Sequence, residues 1–266
     1  MRLLKFEDGN LCLTKDLTND IPLYAILSHT WGDEEQEVSF QDITESTGRD
    51  KSGYRKIRFC GEQAAVNGLQ HFWVDTCCIN KPNHTELSEA INSMFRWYQN
   101  ATKCYVYLSD VSKIPATEDD EPLRSAWKSD FRKSKWFTRG WTLQELLAPS
   151  SVEFFAWDGQ RLGDKKSLEP LLSEITGVAI NALRGSPLSD FTIEERMSWS
   201  KGRETTRPED KAYSLLGLFG IHMPLIYGEG REEAFKRLRT MIYERSGVSK
   251  KDEDISITCY YHDLTD

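Results

Sequence analysis

The chain has 266 residues, of which 39% are hydrophobic and 29% are charged, a composition typical of a globular protein with a buried core. Its 34 Lys and Arg against 42 Asp and Glu give a net charge of −8, which argues against a general nucleic-acid binder because phosphate neutralisation needs a basic surface. No apolar run approaches the roughly 20 residues that cross a bilayer, and the first residues lack the apolar stretch of a signal peptide.

The 6 cysteines are dispersed and mostly lie in apolar segments, so we expect free thiols and a cytoplasmic location. A zinc site built from Cys77, Cys78 and His84 is the alternative. Adjacent cysteines of a strand point to opposite faces, and no second Cys-x-x-Cys pair accompanies them. We therefore predict no metal site.

The first half of the chain alternates strands and helices. Apolar runs predict strands at Tyr24–Ser28, His71–Asp75 and Lys103–Leu108. Helical spacing of apolar residues predicts a helix over Tyr54–Leu69 and another from the N-cap Thr85 to residue 100, whereas residues 33–53 look irregular. This β-α-β-α-β order predicts a mainly parallel sheet with helices on both faces.

The second half becomes helical after one more strand. Beyond a polar loop at 111–122, we predict helices over Arg124–Trp136 and Trp141–Leu147 and a fourth strand over Ser151–Ala156. After Gly163 the pattern predicts helices at Leu168–Thr176, Ile193–Trp199, Pro208–Leu218 and Glu232–Ser246, with Pro208 at a first helical position. For residues 255–261 we expect a late strand or a frayed end. We divide the chain into an α/β core of residues 1–160 and a mainly helical extension, residues 161–266, packed on that core.

Loops beyond the carboxyl ends of parallel strands are where open α/β sheets bind ligands. Residues 28–33, 75–80 and 109–110 occupy such loops, and the aromatic segment 136–145 ends in Glu145. A solvated helix carboxylate is the ordinary reading of Glu145, but Trp136 and Trp141 offer surfaces for stacking a ring. The nearby basic residues either make up a solvated helix face or attract a nucleotide phosphate. They are Arg124, Lys128, Arg132, Lys133, Lys135 and Arg139.

Known nucleotide and hydrolase motifs do not occur. No glycine-rich phosphate loop follows a predicted strand, which argues against a P-loop ATPase or a Rossmann dehydrogenase, and neither G-x-S-x-G nor H-E-x-x-H is found. His29 lies in a strand-end loop, where a structural histidine is more common than a general base. A thiol nucleophile formed by Cys77 or Cys78 with His29 competes with the more common buried, inert thiol.

Three blocks of the sequence resemble the fungal HET (heterokaryon incompatibility) domain. They are residues 24–32 (YAILSHTWG), residues 73–80 (WVDTCCIN, continuing to Glu86 and Met94) and residues 139–145 (RGWTLQE). Residues 196–230 resemble the segment that follows this domain in relatives carrying a nucleotide-binding module and WD repeats. The resemblance implies a role in non-self recognition and programmed cell death, with a nucleotide-binding receptor module as a partner. We expect this chain to be a free-standing version or a fragment of such a protein.

The HET domain in turn looks like a remote relative of TIR domains, which are flavodoxin-like and often cleave NAD. Residues 141–146 (WTLQEL) are similar to the Trp-Cys-Leu-x-Glu-Leu pattern of plant-type TIR domains, with Thr142 in place of Cys. This resemblance implies a TIR-like fold, NAD hydrolysis and a catalytic role for Glu145. Glu86 is the competing position for the catalytic acid.

NAD is then the substrate, and no cofactor or metal is expected. Glu145 would stabilise the positive charge that develops on the ribose, Trp31 or Trp141 would stack a ring, and Arg139 and the backbone at Gly32 would meet phosphates. The predicted binding rim also contains Ser28, His29, Asp75 and Asn80. We expect self-association to switch the activity on. A non-enzymatic signalling or oligomerisation module, and a nucleotide sensor that does not turn over its ligand, are the alternatives.

Overall fold

The computed structural model describes residues 1–111 and 121–246, with side chains for all of these except 121–126. Its centre is a seven-stranded mixed sheet of order β2-β1-β4-β3-β5-β6-β7. The strands are β1 (Leu4–Glu7), β2 (Asn10–Leu13), β3 (Tyr24–His29), β4 (His71–Trp73), β5 (Lys103–Tyr107), β6 (Val152–Phe155) and β7 (Arg161–Asp164).

The four central strands are parallel. β3 pairs in parallel with β4 on one side and β5 on the other, and β6 continues in parallel beside β5. Every residue of β3 is buried, as expected for a strand covered on both faces. Numbered among themselves along the chain, the parallel strands have the order 2-1-3-4. The predicted α/β class and the four predicted strands are confirmed.

The expectation of a mainly parallel sheet needs correction, because antiparallel pairs occupy both edges. β1 and β2 form a hairpin whose two-residue loop is Asp8-Gly9, with φ of 49° and 77°. Asp-Gly with both φ positive is the favoured two-residue hairpin turn, so the sequence carried a signal for these strands that the prediction omitted. At the other edge, β7 folds back beside β6.

Helices cover both faces of the sheet. They are α1 (Phe40–Thr44), α2 (Tyr54–Val66), α3 (His84–Asn100), α4 (Glu121–Lys133), α5 (Thr142–Leu147), α6 (Glu169–Thr176), α7 (Ile180–Leu183), α8 (Ile193–Ser198), α9 (Asp210–Tyr213), α10 (Leu216–Phe219) and α11 (Gly230–Ser246). Short 3-10 segments lie at Glu34–Gln36, Lys135–Thr138 and Leu188–Asp190. No helix within 1–111 and 121–246 combines the length and apolar character needed to cross a bilayer.

Strand alternation divides the two faces. Successive side chains of β3 point to opposite sides, so Ser28 faces α5 whereas His29 lies beside Glu37, which pairs with Lys56 of α2. β5 follows the same parity, since the Cys104 thiol contacts the carbonyl of Glu145 in α5 and the Tyr105 hydroxyl donates to a carbonyl of α2. The end of β3 therefore presents different groups to two separate layers.

Several predicted boundaries were wrong for local reasons. Residues 33–53 are not wholly irregular, because Ser39 and Asp42 form a capping box that begins α1. α3 is capped by Asn83, whose side chain accepts from the Glu86 N–H, and not by Thr85. The predicted helix over 208–218 is two short helices, with Pro208 preceding the first. The predicted strand at 255–261 and residues 112–120 of the predicted loop lie outside the described residues.

The C-terminal helices share the hydrophobic core of the sheet. Buried side chains from Leu3 to Ile242 form one cluster, which includes Leu172, Trp199 and Tyr213. α10 packs on α3, and Gly217 in α10 lies directly against the side chain of Phe95. The division of the chain at residue 160 stays a prediction.

We expect Gly217→Ala to destabilise the fold, although Ala is normally the better residue in a helix. A Cβ at this position would overlap Phe95, and overpacking of this kind costs about 1–3 kcal/mol. Denaturant unfolding measures the change, with Val66→Ala at a 79% exposed position of α2 as a control expected to change little. Unchanged stability of the Gly217 variant would contradict the packing of α10 on α3.

Candidate functional site

The candidate site lies at the carboxyl ends of the parallel strands, at the point where the strand order of the sheet reverses. From β3 the chain passes to β4 on one side and later to β5 on the other. Loops diverge at such a reversal, and open α/β sheets bind ligands in the crevice that this leaves. The groups at this edge come from the end of β3, the loop after β4 and the start of α5.

Glu145 is the central group of this edge. It lies in the first turn of α5, is 6% exposed, and accepts a hydrogen bond of 2.5 Å from the Ser28 hydroxyl. The Ser28 oxygen in turn accepts from the indole N–H of Trp136 at 2.7 Å. Tyr98 lies on the same side, and its hydroxyl donates to the carbonyl of Leu27 at 2.9 Å. A strand end, a 3-10 segment and two helices thus hold one carboxyl group.

The pKa of Glu145 is raised to about 8. Burial is the main cause, followed by the negative charge of Asp75, while the hydrogen bond from Ser28, the nearby Tyr98 hydroxyl and the charge of Arg139 oppose the rise. The carboxyl is therefore protonated at neutral pH and close to the point where it ionises. A strongly shifted pKa in a strand-end crevice is typical of groups that take part in chemistry.

A second polar cluster occupies the α2 side of the same strand end. Both ring nitrogens of His29 lie 3.9 Å from carboxylate oxygens, those of Glu37 and Asp75, which is too long for hydrogen bonds. Burial lowers the pKa of His29 well below 6.5, and Lys56, among other cations, adds to this effect, so the imidazole is neutral at physiological pH. Glu37 pairs with Lys56 and accepts from the N–H of Gly32 at 2.6 Å. The amide predicted to meet a phosphate is thus already bonded to Glu37.

Trp31 forms the exposed part of the rim. Its indole is 42% exposed, and its N–H donates to Asp75 at 2.9 Å. The ammonium of Lys81 lies 3.6 Å from the Trp31 ring centroid, a cation–π contact. The second carboxylate oxygen of Asp75 is buried and has no hydrogen-bond partner among the described residues. Burial raises the pKa of Asp75. Trp31 therefore joins an accessible flat surface to a half-buried acid.

Two predicted binding residues are bonded elsewhere. The backbone N–H of Asn80 donates to Glu86 at 2.8 Å, and the indole N–H of Trp141 donates to Asp210 at 3.3 Å.

Glu86, the competing catalytic position, is paired with Arg2, whose hydrogen bond lowers the pKa of Glu86 against the effect of burial. The structure thus gives the two glutamates opposite electrostatic settings.

The remaining predicted residues meet at one strand end. Ser28 and Arg139 act on Glu145, and His29, Trp31 and Gly32 reach Asp75 or Glu37. The adjacent thiols are buried and contact the backbone of Val74, and burial raises the pKa of Cys77 well above its ordinary value. Cys77 is therefore a protonated thiol, not a ready nucleophile. No group of three or more His, Cys, Asp or Glu within residues 1–111 and 121–246 is placed to hold a metal ion.

Comparison with known proteins identifies relatives of the sequence. Residues 24–122 match the family model described as heterokaryon incompatibility protein (HET). Over 265 residues the chain is 56% identical to the vegetative incompatibility protein HET-E-1 of Podospora anserina, an alignment that covers 99% of this chain and 19% of that protein. No solved structure matches.

The raised pKa of Glu145 predicts a pH-dependent stability. Between pH 4.5 and about 8 the folded protein keeps a proton that the unfolded chain releases, so the free energy of unfolding falls as pH rises through this window. At about 1.4 kcal/mol per pH unit, wild type loses about 4 kcal/mol relative to Glu145→Gln between about pH 5 and pH 8. Urea unfolding at both pH values measures the difference. Glu86→Gln is the matched control, because the lowered pKa of Glu86 leaves it ionised across the window. Parallel pH curves for wild type and Glu145→Gln would refute the raised pKa.

Proposed function

Since the chain carries a heterokaryon incompatibility (HET) domain, we propose that it acts in fungal non-self recognition and triggers cell death by cleaving NAD at the nicotinamide–ribose bond. The observation that carries the enzymatic part is the buried carboxyl of Glu145, hydrogen-bonded to Ser28 at the carboxyl ends of the parallel strands. Glu86 is disfavoured as the acid because Arg2 holds it in an ion pair.

The strand order supports a TIR-like reading of the core. A flavodoxin-like sheet has the order 2-1-3-4-5 and binds its ligand where strands 1 and 3 adjoin. The four parallel strands here have the order 2-1-3-4, and Ser28 lies at the end of the strand that corresponds to strand 1. The hairpin β1–β2 and strand β7 are additions at the edges of this pattern.

The proposed reaction needs one carboxylate. The bond between C1′ of the ribose and the pyridinium nitrogen breaks, and its electron pair neutralises nicotinamide, so no general acid is required. The ribose becomes oxocarbenium-like, and water adds to C1′ and releases one proton, giving ADP-ribose. Glu145 stabilises the positive charge at C1′. The cationic nicotinamide ring favours the ionised form of Glu145 when NAD binds, which offsets the pKa of about 8 in the free protein.

The rim supplies groups for the rest of the dinucleotide. The exposed face of Trp31 stacks a ring, Asp75 holds ribose hydroxyls, and Arg139 and Lys81 attract the diphosphate. Lys81 already contacts the Trp31 ring. A ring that stacks on Trp31, or a phosphate that binds Lys81, would therefore have to replace this contact. This proposal adds Lys81 to the residues predicted from the sequence.

Burial of the carboxyl supports a regulated enzyme. Glu145 is 6% exposed, so a substrate reaches it only when a covering segment moves. Self-association is the proposed trigger, and the relative in Podospora anserina is about five times as long as the aligned region. Its remaining length leaves room for a receptor module that would bring domains together.

Purified protein is expected to release nicotinamide from NAD, with activity that rises with protein concentration. Glu145→Gln removes the stabilising charge and is expected to lower the rate by ~100-fold or more, whereas Glu86→Gln leaves it within a few-fold of wild type. Chromatographic detection of nicotinamide, with circular dichroism as the folding control, makes the comparison. No nicotinamide from wild type at any protein concentration or after enforced dimerisation would favour a non-enzymatic signalling module. Saturable NAD binding without product would favour a sensor.

The pH dependence of cleavage reports the same carboxyl. If ionised Glu145 is required, kcat/KM rises with pH and levels off above about 8, the pKa of Glu145 in the free protein. The corresponding rise (limb) in the profile of kcat lies at lower pH, because the cationic ring of bound NAD stabilises the carboxylate. Ser28→Ala removes a hydrogen bond that favours the charged form, so its kcat/KM limb is expected at higher pH than that of wild type. A kcat/KM that does not change between about pH 6 and 9 would contradict this assignment.

A further inference from the structure

Arg203 is a buried arginine behind the candidate site. It lies in the segment after α8 and is only 3% exposed. Its Nε donates to the carbonyl of Trp199 at 3.2 Å, and its Nη1 donates to the carbonyl of Arg139 and to the hydroxyl of Thr142, both at 2.9 Å. Its Nη2 is buried without a hydrogen-bond partner among the described residues. Burial of a guanidinium with an unpaired nitrogen costs desolvation free energy, so stability alone does not explain the position of Arg203.

The backbone beside Arg203 docks against the segment that begins α5. The N–H of Gly140 donates to the carbonyl of Glu204 at 2.8 Å, and the N–H of Glu204 donates to the carbonyl of Thr138 at 2.5 Å. A Cβ on Gly140 would lie 2.5 Å from the Thr205 methyl carbon, so any other residue here would force Thr205 to move. The C-terminal segment is thus fixed against the RGWTLQE motif by main-chain contacts.

A continuous series of hydrogen bonds leads from Arg203 to Glu145. Arg203 donates to the hydroxyl of Thr142, which donates to the carbonyl of Trp136 at 2.6 Å. The indole N–H of Trp136 donates to Ser28, and the Ser28 hydroxyl donates to Glu145. Every side chain in this series is buried. Movement of the guanidinium therefore changes the support of both α5 and the donor to the carboxyl.

The charge of Arg203 also acts on the carboxyl. Burial lowers the pKa of Arg203 to about 10, and the negative charge of Glu145 opposes that fall. The titratable groups around Glu145 come from five parts of the fold: Asp75 after β4, Tyr98 in α3, Cys104 in β5, Arg139 before α5, and Arg203. Arg139 and Arg203 are the cations among these five groups: the charge of Arg139 lowers the pKa of Glu145, and the charge of Glu145 raises that of Arg203.

We propose that Arg203 is a positioning residue for Glu145, which fixes α5 and the Trp136–Ser28 donor series and places a buried positive charge at the start of the helix that carries this carboxyl. This inference rests on the proposed cleavage of NAD by Glu145. It extends the site to a segment that lies outside the family-matched residues 24–122. The substrate then meets a carboxylate held from behind by the C-terminal helical region.

Four variants of the full chain separate the charge of Arg203 from its hydrogen bonds. Arg203→Met removes the charge at similar length, and Arg203→Lys retains it. Thr142→Val removes the hydroxyl that links Arg203 to Trp136 but leaves the charge. Arg196→Met is the matched control, because Arg196 also donates to backbone carbonyls, those of Thr192 and Leu218, and lies over the Phe219 ring.

The first measurement does not depend on activity. A ¹³C NMR titration of glutamate-labelled protein follows the Glu145 carboxyl, identified by its loss in Glu145→Gln. Arg203→Met is expected to raise the pKa of Glu145 by about one unit or more, while Arg203→Lys and Arg196→Met leave it near the wild-type value. Circular dichroism and thermal unfolding establish that each variant is folded. If Arg203→Met does not fold, the comparison of Arg203→Lys with Thr142→Val decides between charge and position.

The second measurement is the pH profile of nicotinamide release. Arg203→Met is expected to move the kcat/KM limb to higher pH by the same amount, about tenfold in rate at neutral pH, and Thr142→Val to lower kcat without moving the limb. A folded Arg203→Met with wild-type titration and profile would overturn the inference. Equal pH profiles for Thr142→Val and wild type would refute the role of the hydrogen-bond series through Thr142. A shifted titration without nicotinamide release from wild type would retain the coupling and refute the proposed function.

Discussion

The structure depends on one buried hydrogen bond, from the Ser28 hydroxyl at the end of the central strand to the carboxyl of Glu145. A carboxyl that leaves water must either stay protonated or be surrounded by donors, and this one has both a raised pKa and a partner. The partner is fixed in turn, since Ser28 accepts from Trp136 and Trp136 is held through Thr142. A parallel strand, a 3-10 segment and a six-residue helix must therefore keep their relative positions for the group to be tolerated at all.

Strand alternation explains how one strand end serves two electrostatic environments. Ser28 and His29 are neighbours in sequence but belong to opposite faces, so the carboxyl of Glu145 and the Glu37–Lys56 pair lie in different layers. Asp75 connects the two, because it lies 3.9 Å from His29 and its charge also raises the pKa of Glu145. A ligand that changes the ionisation of Asp75 would therefore act on both layers through electrostatics, without a conformational change.

Local patterns and long-range contacts differed in how far they could be predicted. The central strand and the helices at 54–66 and 84–100 follow from periodicity, because each buries an apolar run or stripe whose spacing is visible in sequence. The Asp8-Gly9 turn is likewise a local signal, which indicates the hairpin of β1 and β2. Glu145 was predicted from a resemblance, and its surroundings were not. In the sequence Lys56 looks like an ordinary lysine on a helix surface. Only the fold shows that Glu37, 19 positions earlier, lies beside it. Such pairs are set by tertiary packing and leave no local pattern.

The contacts of Arg203 indicate that the C-terminal helical region and the sheet form one functional unit. The family model ends at residue 122, whereas Glu145 and Arg203 lie beyond it, yet the alignment to the Podospora relative runs over 99% of the chain. A segment that only shielded the sheet would need apolar contacts, but this one adds main-chain bonds to Gly140 and a buried guanidinium to the start of α5. Buried polar contacts of this kind are retained at a cost in desolvation, so they define geometry more than they add stability. The helical region is thus better understood as the rear wall of the site than as a separate appendage, and a truncation after the sheet would remove part of the support of Glu145.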